Sequence, residues 1–317
     1  MSAGVIEAPG RAATARTARP EPGPGQVRVR LEGCGVCGSS LPVWEGRPWF
    51  EYPREPGAPG HEGWGAVDAV GEGVAGWRVG DRVAFLSDHA FAEYDLAGAD
   101  GLARIPEQLA GRAFPGEALA CAMNVFRRSG IAAGDTVAVV GVGFLGAMLV
   151  QLASRAGARV VALTRRPFAR EVAVAMGAAE AIATDDAAGA AARVRGLTGG
   201  EGAACVVEVT GLQSQLDLAT ELTRERGRLV IAGYHQDGLR TVNLQLWNWR
   251  GLDVINAHER DPRAYVAGIE AAGRAVAAGE LDPEPLYTHR LPLGELGRAL
   301  DLLRDRPAGF LKALVVP

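Results

Sequence analysis

The chain has 317 residues, 48% of them hydrophobic and 22% charged, with a formal net charge of −4. That length exceeds one ordinary core and suits two domains, the composition excludes a disordered chain, and the slight acidity argues against a nucleic-acid partner. The opening residues lack the pattern of a secretory leader, so a cytoplasmic setting is expected, in which the four cysteines are thiols or metal ligands rather than a disulfide frame.

In chain order, residues 22–25 read as a turn, and residues 26–31 alternate apolar and polar side chains as a half-buried strand does. Residues 66–70 and 82–85 repeat that pattern between Gly-rich turns, which predicts a small, mostly β region. After about residue 130 the pattern changes to strands alternating with helices. Residues 136–140 form an apolar strand and 144–156 a helix. Hydropathy alone suggests a membrane span over 137–153, but three glycines and the strand-to-helix break predict a buried strand, a tight turn and a packing helix. Further strands are expected at 159–163, 181–183, 204–209, 228–232 and 252–255, with helices at 168–176 and 213–223. That alternation predicts an α/β fold with a doubly wound parallel sheet. The tail, with helices at 262–278 and 293–304 and a strand at 310–316, follows a completed sheet and is expected to return to the first domain.

Two motifs carry chemistry. Cys37, His61 and the adjacent Glu62, with Cys121 further on, offer the thiolate, imidazole and carboxylate groups that zinc prefers. No second Cys-x-x-Cys pair accompanies Cys34 and Cys37, so a closed structural site is not expected, and Cys34 and Cys205 read as core. Gly141, Gly143 and Gly146, with Phe144 and Leu145 in the same turn, follow a strand and open a helix, the context that places a dinucleotide pyrophosphate on a helix N-terminus. After the next strand comes Thr164 where an acid would hold the ribose of NAD, followed by Arg165 and Arg166, which suit the 2′-phosphate of NADP. NADP(H) is therefore the expected cofactor, with NAD(H) the alternative. Among 33 basic residues only Lys312 is a lysine, which leaves no internal lysine for a Schiff base or a phosphate loop. No tyrosine is followed four residues later by lysine, so a Tyr-x-x-x-Lys proton relay is excluded.

The runs Gly33–Ser39, Gly60–Gly63, 70–74 with 79–83, and the Gly141 turn resemble, in order, the zinc-dependent medium-chain dehydrogenase/reductase superfamily, near its sorbitol and threonine dehydrogenase-like branches. The resemblance implies a GroES-like, β-rich catalytic domain of residues 1–121 and 257–317 around a Rossmann domain of residues 122–256, with the active site in the cleft. It implies one catalytic zinc on Cys37, His61 and either Cys121 or Glu62, with Glu117 near the metal as in the polyol branch and Ser39 accepting the substrate proton. Three departures stand out. Ser40 replaces an aspartate that supports the histidine, Pro42 replaces the relay histidine, and the four-cysteine lobe of a structural zinc is missing.

These features predict hydride transfer between a nicotinamide and a secondary alcohol or polyol as small-molecule substrate. The alternatives are a zinc-free quinone or enoyl reductase and a non-catalytic nucleotide sensor. Trp44, Trp49, Phe50, Tyr234 and His235 are candidate pocket walls. The apolar stretch 242–249 before a last sheet strand predicts a homodimer or homotetramer, with no nucleic-acid or membrane partner.

Overall fold

The computed structural model describes Met1–Pro317 without interruption. The chain begins with strands β1 (Ser2–Ala8), β2 (Arg11–Arg16) and β3 (Gln26–Gly35) and the short helix α1 (Leu41–Trp44). Strands β4 (Glu62–Val70), β5 (Arg82–Phe85), β6 (Tyr94–Gly98) and β7 (Leu102–Arg104) follow, then helix α2 (Gly116–Ser129). An alternating run comes next: β8 (Thr136–Val140), α3 (Phe144–Arg155), β9 (Arg159–Leu163), α4 (Pro167–Ala175), β10 (Glu180–Ile182) and α5 (Ala187–Leu197). It continues with β11 (Ala203–Glu208), α6 (Gln213–Leu222), β12 (Thr223–Ile231), α7 (Leu244–Arg250) and β13 (Asp253–Asn256). The tail adds α8 (Pro262–Ala277), β14 (His289–Pro292), α9 (Leu296–Asp305) and β15 (Ala313–Val316).

Contacts divide the chain into Met1–Cys121 with Arg260–Pro317, and Ala122–Glu259. The family resemblance implies a return of the chain slightly earlier, at residue 257.

The first unit holds a mixed sheet in the order β14-β15-β3-β4-β5-β7, with β6 also paired to β3. Its core is supplied by the inward residues of alternating strands, Val27, Val29 and Leu31 of β3 with Val67, Val83 and Phe85. Alternation fails at Arg28, which is buried and tied to Asp68 and Glu21 at 2.7 and 2.8 Å. The tail enters this sheet because β15 pairs antiparallel with β3, placing Leu314 opposite Gly35 and Val315 opposite Cys34.

The second unit is a parallel sheet in the order β10-β9-β8-β11-β12-β13. Numbered from β8, this is the doubly wound order whose direction reverses between β8 and β11. Val137–Val140 and Cys205–Val207 are wholly buried, which explains why these strands read as unbroken apolar runs. No helix is long and apolar enough to cross a membrane. Strand β12 starts earlier than expected, at Thr223 directly after α6, and a helix, α7, forms within the apolar stretch, where the Asn243 side chain accepts from the Leu246 amide at its N-terminus.

Candidate active site

One ligand atom each from Cys37, His61 and Glu62 lies within 4.8 Å of the others. The first unit builds this cluster from neighbouring strands. Glu62 opens β4 directly opposite Gly35 at the end of β3, and Cys37 precedes a turn of 3-10 helix over Gly38–Ser40. His61 Nδ1 lies 2.8 Å from the Pro59 carbonyl, which only accepts, so in the neutral ring Nδ1 carries the hydrogen and Nε2 keeps its lone pair. Ser39 Oγ sits 3.2 Å from that Nε2. The histidine support expected to weaken with Ser40 thus comes from a backbone carbonyl, while Ser40 Oγ itself is buried without a hydrogen-bond partner.

The cluster is rich in anionic groups. Burial works against the His61 imidazolium, yet the neighbouring Cys37, Glu117 and Glu62 outweigh it and push the pKa up to about 10. Burial raises the Glu117 carboxyl above its usual range, and Glu62 adds to that effect. Glu62 is 1% exposed and pairs with Lys312, whose Nζ lies 2.7 Å from Oε1 and 2.5 Å from Oε2. One ammonium thus engages both oxygens of the buried carboxylate, with the shorter approach to Oε2. A thiol, an imidazole whose Nε2 faces Ser39 and a buried carboxylate offer a zinc ion three ligands of the types it prefers.

Cys121 is not brought into that set. Its thiol donates to Glu117 Oε1 at 3.3 Å and lies 3.8 Å from the Tyr265 hydroxyl. Burial pushes its pKa well up, as do the charges of Glu117 and Cys37, which keeps it a neutral donor. Cys34 and Cys205 are core, as expected. His89 hydrogen-bonds Glu55, and His289 packs against Phe310.

The second unit carries the glycine turn. Gly141 has φ +103, and a Cβ there would meet Thr210 at 2.4 Å. Gly143 stands exposed at the N-cap of α3, with nothing within 4 Å of the position a Cβ would take. Gly146 lies so close to the turn that a Cβ would sit 2.0 Å from the Gly141 carbonyl oxygen. These are the three different demands expected of a tight turn, an approach for phosphate and a close helix contact. Phe144 and Leu145 begin α3, so their amides belong to its unpaired first turn. Thr164 is buried at the end of β9, Arg165 is exposed, and Arg166 caps α4. Arg170, which sequence reading passed over, folds back to the Thr164 and Arg165 carbonyls at 3.3 and 2.8 Å and fixes that corner.

Among the pocket candidates, Trp44 needs correction. It is 1% exposed in the core of the first unit, and its indole N–H donates to Asp301 at 3.0 Å. Phe50 packs against the same core, whereas Trp49 is exposed. Tyr234 is exposed and stacks on His258, and His235 contacts the buried Glu208 at 3.1 Å while accepting from Arg240 at 2.9 Å. His235 is therefore a linked group, not a free pocket base.

Residues 23–116 match the alcohol dehydrogenase GroES-like domain, and residues 145–272 match the zinc-binding dehydrogenase family. Over 93% of its length the chain is 28% identical to a 2-dehydro-3-deoxy-L-galactonate 5-dehydrogenase of Pseudoalteromonas atlantica, covering 92% of that protein. It is 30% identical to an alcohol dehydrogenase of Rhizobium meliloti over 68% of this chain and 71% of that one. The structure of a zinc-binding dehydrogenase from Sinorhizobium meliloti bound to NADP superposes on the whole chain and 99% of its own, with TM-score 0.84 and 28% identity.

Proposed function

The chain belongs to the zinc-type medium-chain dehydrogenase/reductase superfamily, and from that premise we propose a cytoplasmic, zinc-dependent alcohol or polyol dehydrogenase that prefers NADP(H). The observation that carries the zinc reading is the meeting of Cys37, His61 and Glu62 within 4.8 Å, beside Ser39. Bound zinc would supply Lewis acidity to a substrate oxygen, and the nicotinamide a two-electron hydride acceptor. Cys37 and His61 would hold the metal with Glu62, and the Pro59 carbonyl keeps the imidazole turned so that Nε2 faces it. Ser39, beside His61, would take the proton of a substrate hydroxyl. Pro42 has no side-chain acceptor where the relay histidine would stand, so that proton would pass from the half-exposed Ser39 to solvent.

The glycine turn supports dinucleotide binding by the second unit, and Thr164 with exposed Arg165 supports a 2′-phosphate. The relative named for a sugar acid and the position of Glu117 beside the cluster favour a polyhydroxylated secondary alcohol. The test follows nicotinamide absorbance over a panel of polyols, sugar acids and simple secondary alcohols, alongside elemental analysis. Turnover with one zinc per chain is expected. Turnover that survives complete zinc removal would favour the zinc-free reductase instead.

A further inference from the structure

In a chain whose other basic residues are all arginine, the single lysine is placed where an arginine would be hardest to accommodate. Lys312 is 4% exposed and directly precedes β15. Its backbone is fixed from both sides: its carbonyl accepts from the His289 amide at 3.1 Å, and its amide donates to Thr288 Oγ1 at 3.3 Å. The central strand β3 places Gly35 opposite Glu62 on one side and opposite Leu314 on the other. The Glu62 and Lys312 side chains meet over this glycine. A Cβ at Gly35 would lie 1.8 Å from Glu62 Oε2 and 3.1 Å from Lys312 Cε, so the ion pair fills the space that the missing side chain leaves. An ammonium is a compact point charge, whereas a guanidinium is a broad plane, which accounts for lysine here.

The pair is also close to symmetric: Nζ lies 2.7 Å from Oε1 and 2.5 Å from Oε2, so one ammonium engages both carboxylate oxygens beside Cys37 and His61. We propose that Lys312 is a positioning residue for the metal site: by engaging both oxygens it keeps Glu62 from closing on the metal through both of them and so keeps a coordination position open for the substrate. This rests on the zinc reading given above. Without the ammonium, both oxygens would be free to close on the metal, binding it more tightly and obstructing the open position.

The test uses the cobalt-substituted full-length protein, because the visible absorption of bound cobalt weakens as its coordination number rises. In Lys312→Met the band is expected to weaken and the cobalt dissociation constant to fall about tenfold, opposite in direction to the loss of affinity that removing a ligand-orienting partner ordinarily brings. Lys312→Gln retains a neutral donor for one oxygen, so its band should lie between parent and Lys312→Met; it decides the matter alone if the methionine variant does not fold. Adding Glu62→Gln to either variant should abolish the tightening, since the neutral amide has no second anionic oxygen to offer. A folded variant with the parental band and affinity would overturn the proposal, as would tightening that persists with Glu62→Gln. A parent protein that binds no cobalt would instead sink the metal reading itself.

Discussion

Gly35→Ala tests whether the active-site architecture depends on the space over one strand. Gly35 does not have a positive φ, so alanine fits its backbone and any loss must come from contacts. The new methyl would be 1.8 Å from Glu62 Oε2, 3.0 Å from Glu62 Cδ and 3.1 Å from Lys312 Cε. The first distance is impossible, and both neighbours are buried on a sheet, so the carboxylate must move away from the ammonium. Overpacking costs about 1–3 kcal/mol, and separating a buried ion pair costs about 3–5 kcal/mol when complete. Partial relaxation makes roughly 3 kcal/mol a fair expectation for the sum. For a unit of this size that lowers Tm by about 6–12 °C. The two units need not melt together, so unfolding of the first is followed by tryptophan fluorescence in a background where Trp247 and Trp249 of the second unit are replaced by phenylalanine. A Tm within about 2 °C of the parent would refute the claim that the pair is confined over Gly35.

Gly143→Ala is the converse case: with nothing within 4 Å of its Cβ it should leave Tm unchanged, while calorimetric titration shows cofactor binding weakened by the methyl in the phosphate approach. Thr164→Asp with Arg165→Ala should move the kcat/KM ratio from NADP toward NAD by roughly ten- to a hundredfold, the worth of a charge-assisted phosphate contact; equal use of both cofactors by the parent protein would refute the preference. Leu239, Leu244 and Trp249 are exposed in the segment that leads into the edge strand β13, so light scattering at micromolar concentration should give a dimer or tetramer mass, and a monomer would reject that surface as an interface. Burial favours protonated Asp81, but the Arg78 amide and the Arg104 charge outweigh it and hold the pKa below 3.8. A depressed acid stabilises the fold above its unfolded pKa and loses that contribution as pH falls through the folded value. Asp81→Asn should therefore lower stability at neutral pH by at most about 1 kcal/mol, with the difference from parent vanishing in urea titrations at the most acid pH.

The parts of the site that sequence made legible are those whose demands are local. Each glycine of the turn answers a requirement of the backbone within a few residues, as the positive φ of Gly141 and the carbonyl contact at Gly146 illustrate. Cys37, His61 and Glu62 were recognisable because their chemistry is rare in combination, and the antiparallel pairing of β3 with β4 brings them together. Between Cys121 and Glu62 the sequence left the third ligand open, because ligand type alone says nothing of orientation: the Cys121 thiol donates to Glu117 one helical turn away, while Glu62 stands with Cys37 and His61. Trp44 was read as a pocket wall because aromatic side chains suit either role; what fixes it in the core is the Asp301 acceptor for its N–H, on a helix near the end of the chain.

Lys312 shows where sequence reading stops. Its scarcity was informative only as an exclusion of lysine chemistry, because its partner lies 250 residues away and nothing between them signals the pairing. The pairing exists only once the register is set: Glu62 opposite Gly35, Gly35 opposite Leu314, and no side chain between. A slip of one residue in either ladder would turn one of the two charges to the opposite face of the sheet and leave the other buried alone. The ion pair beside Cys37 and His61 is therefore compatible with one register of the C-terminal strand in the first unit, the one in which Gly35 stands between Glu62 and Leu314.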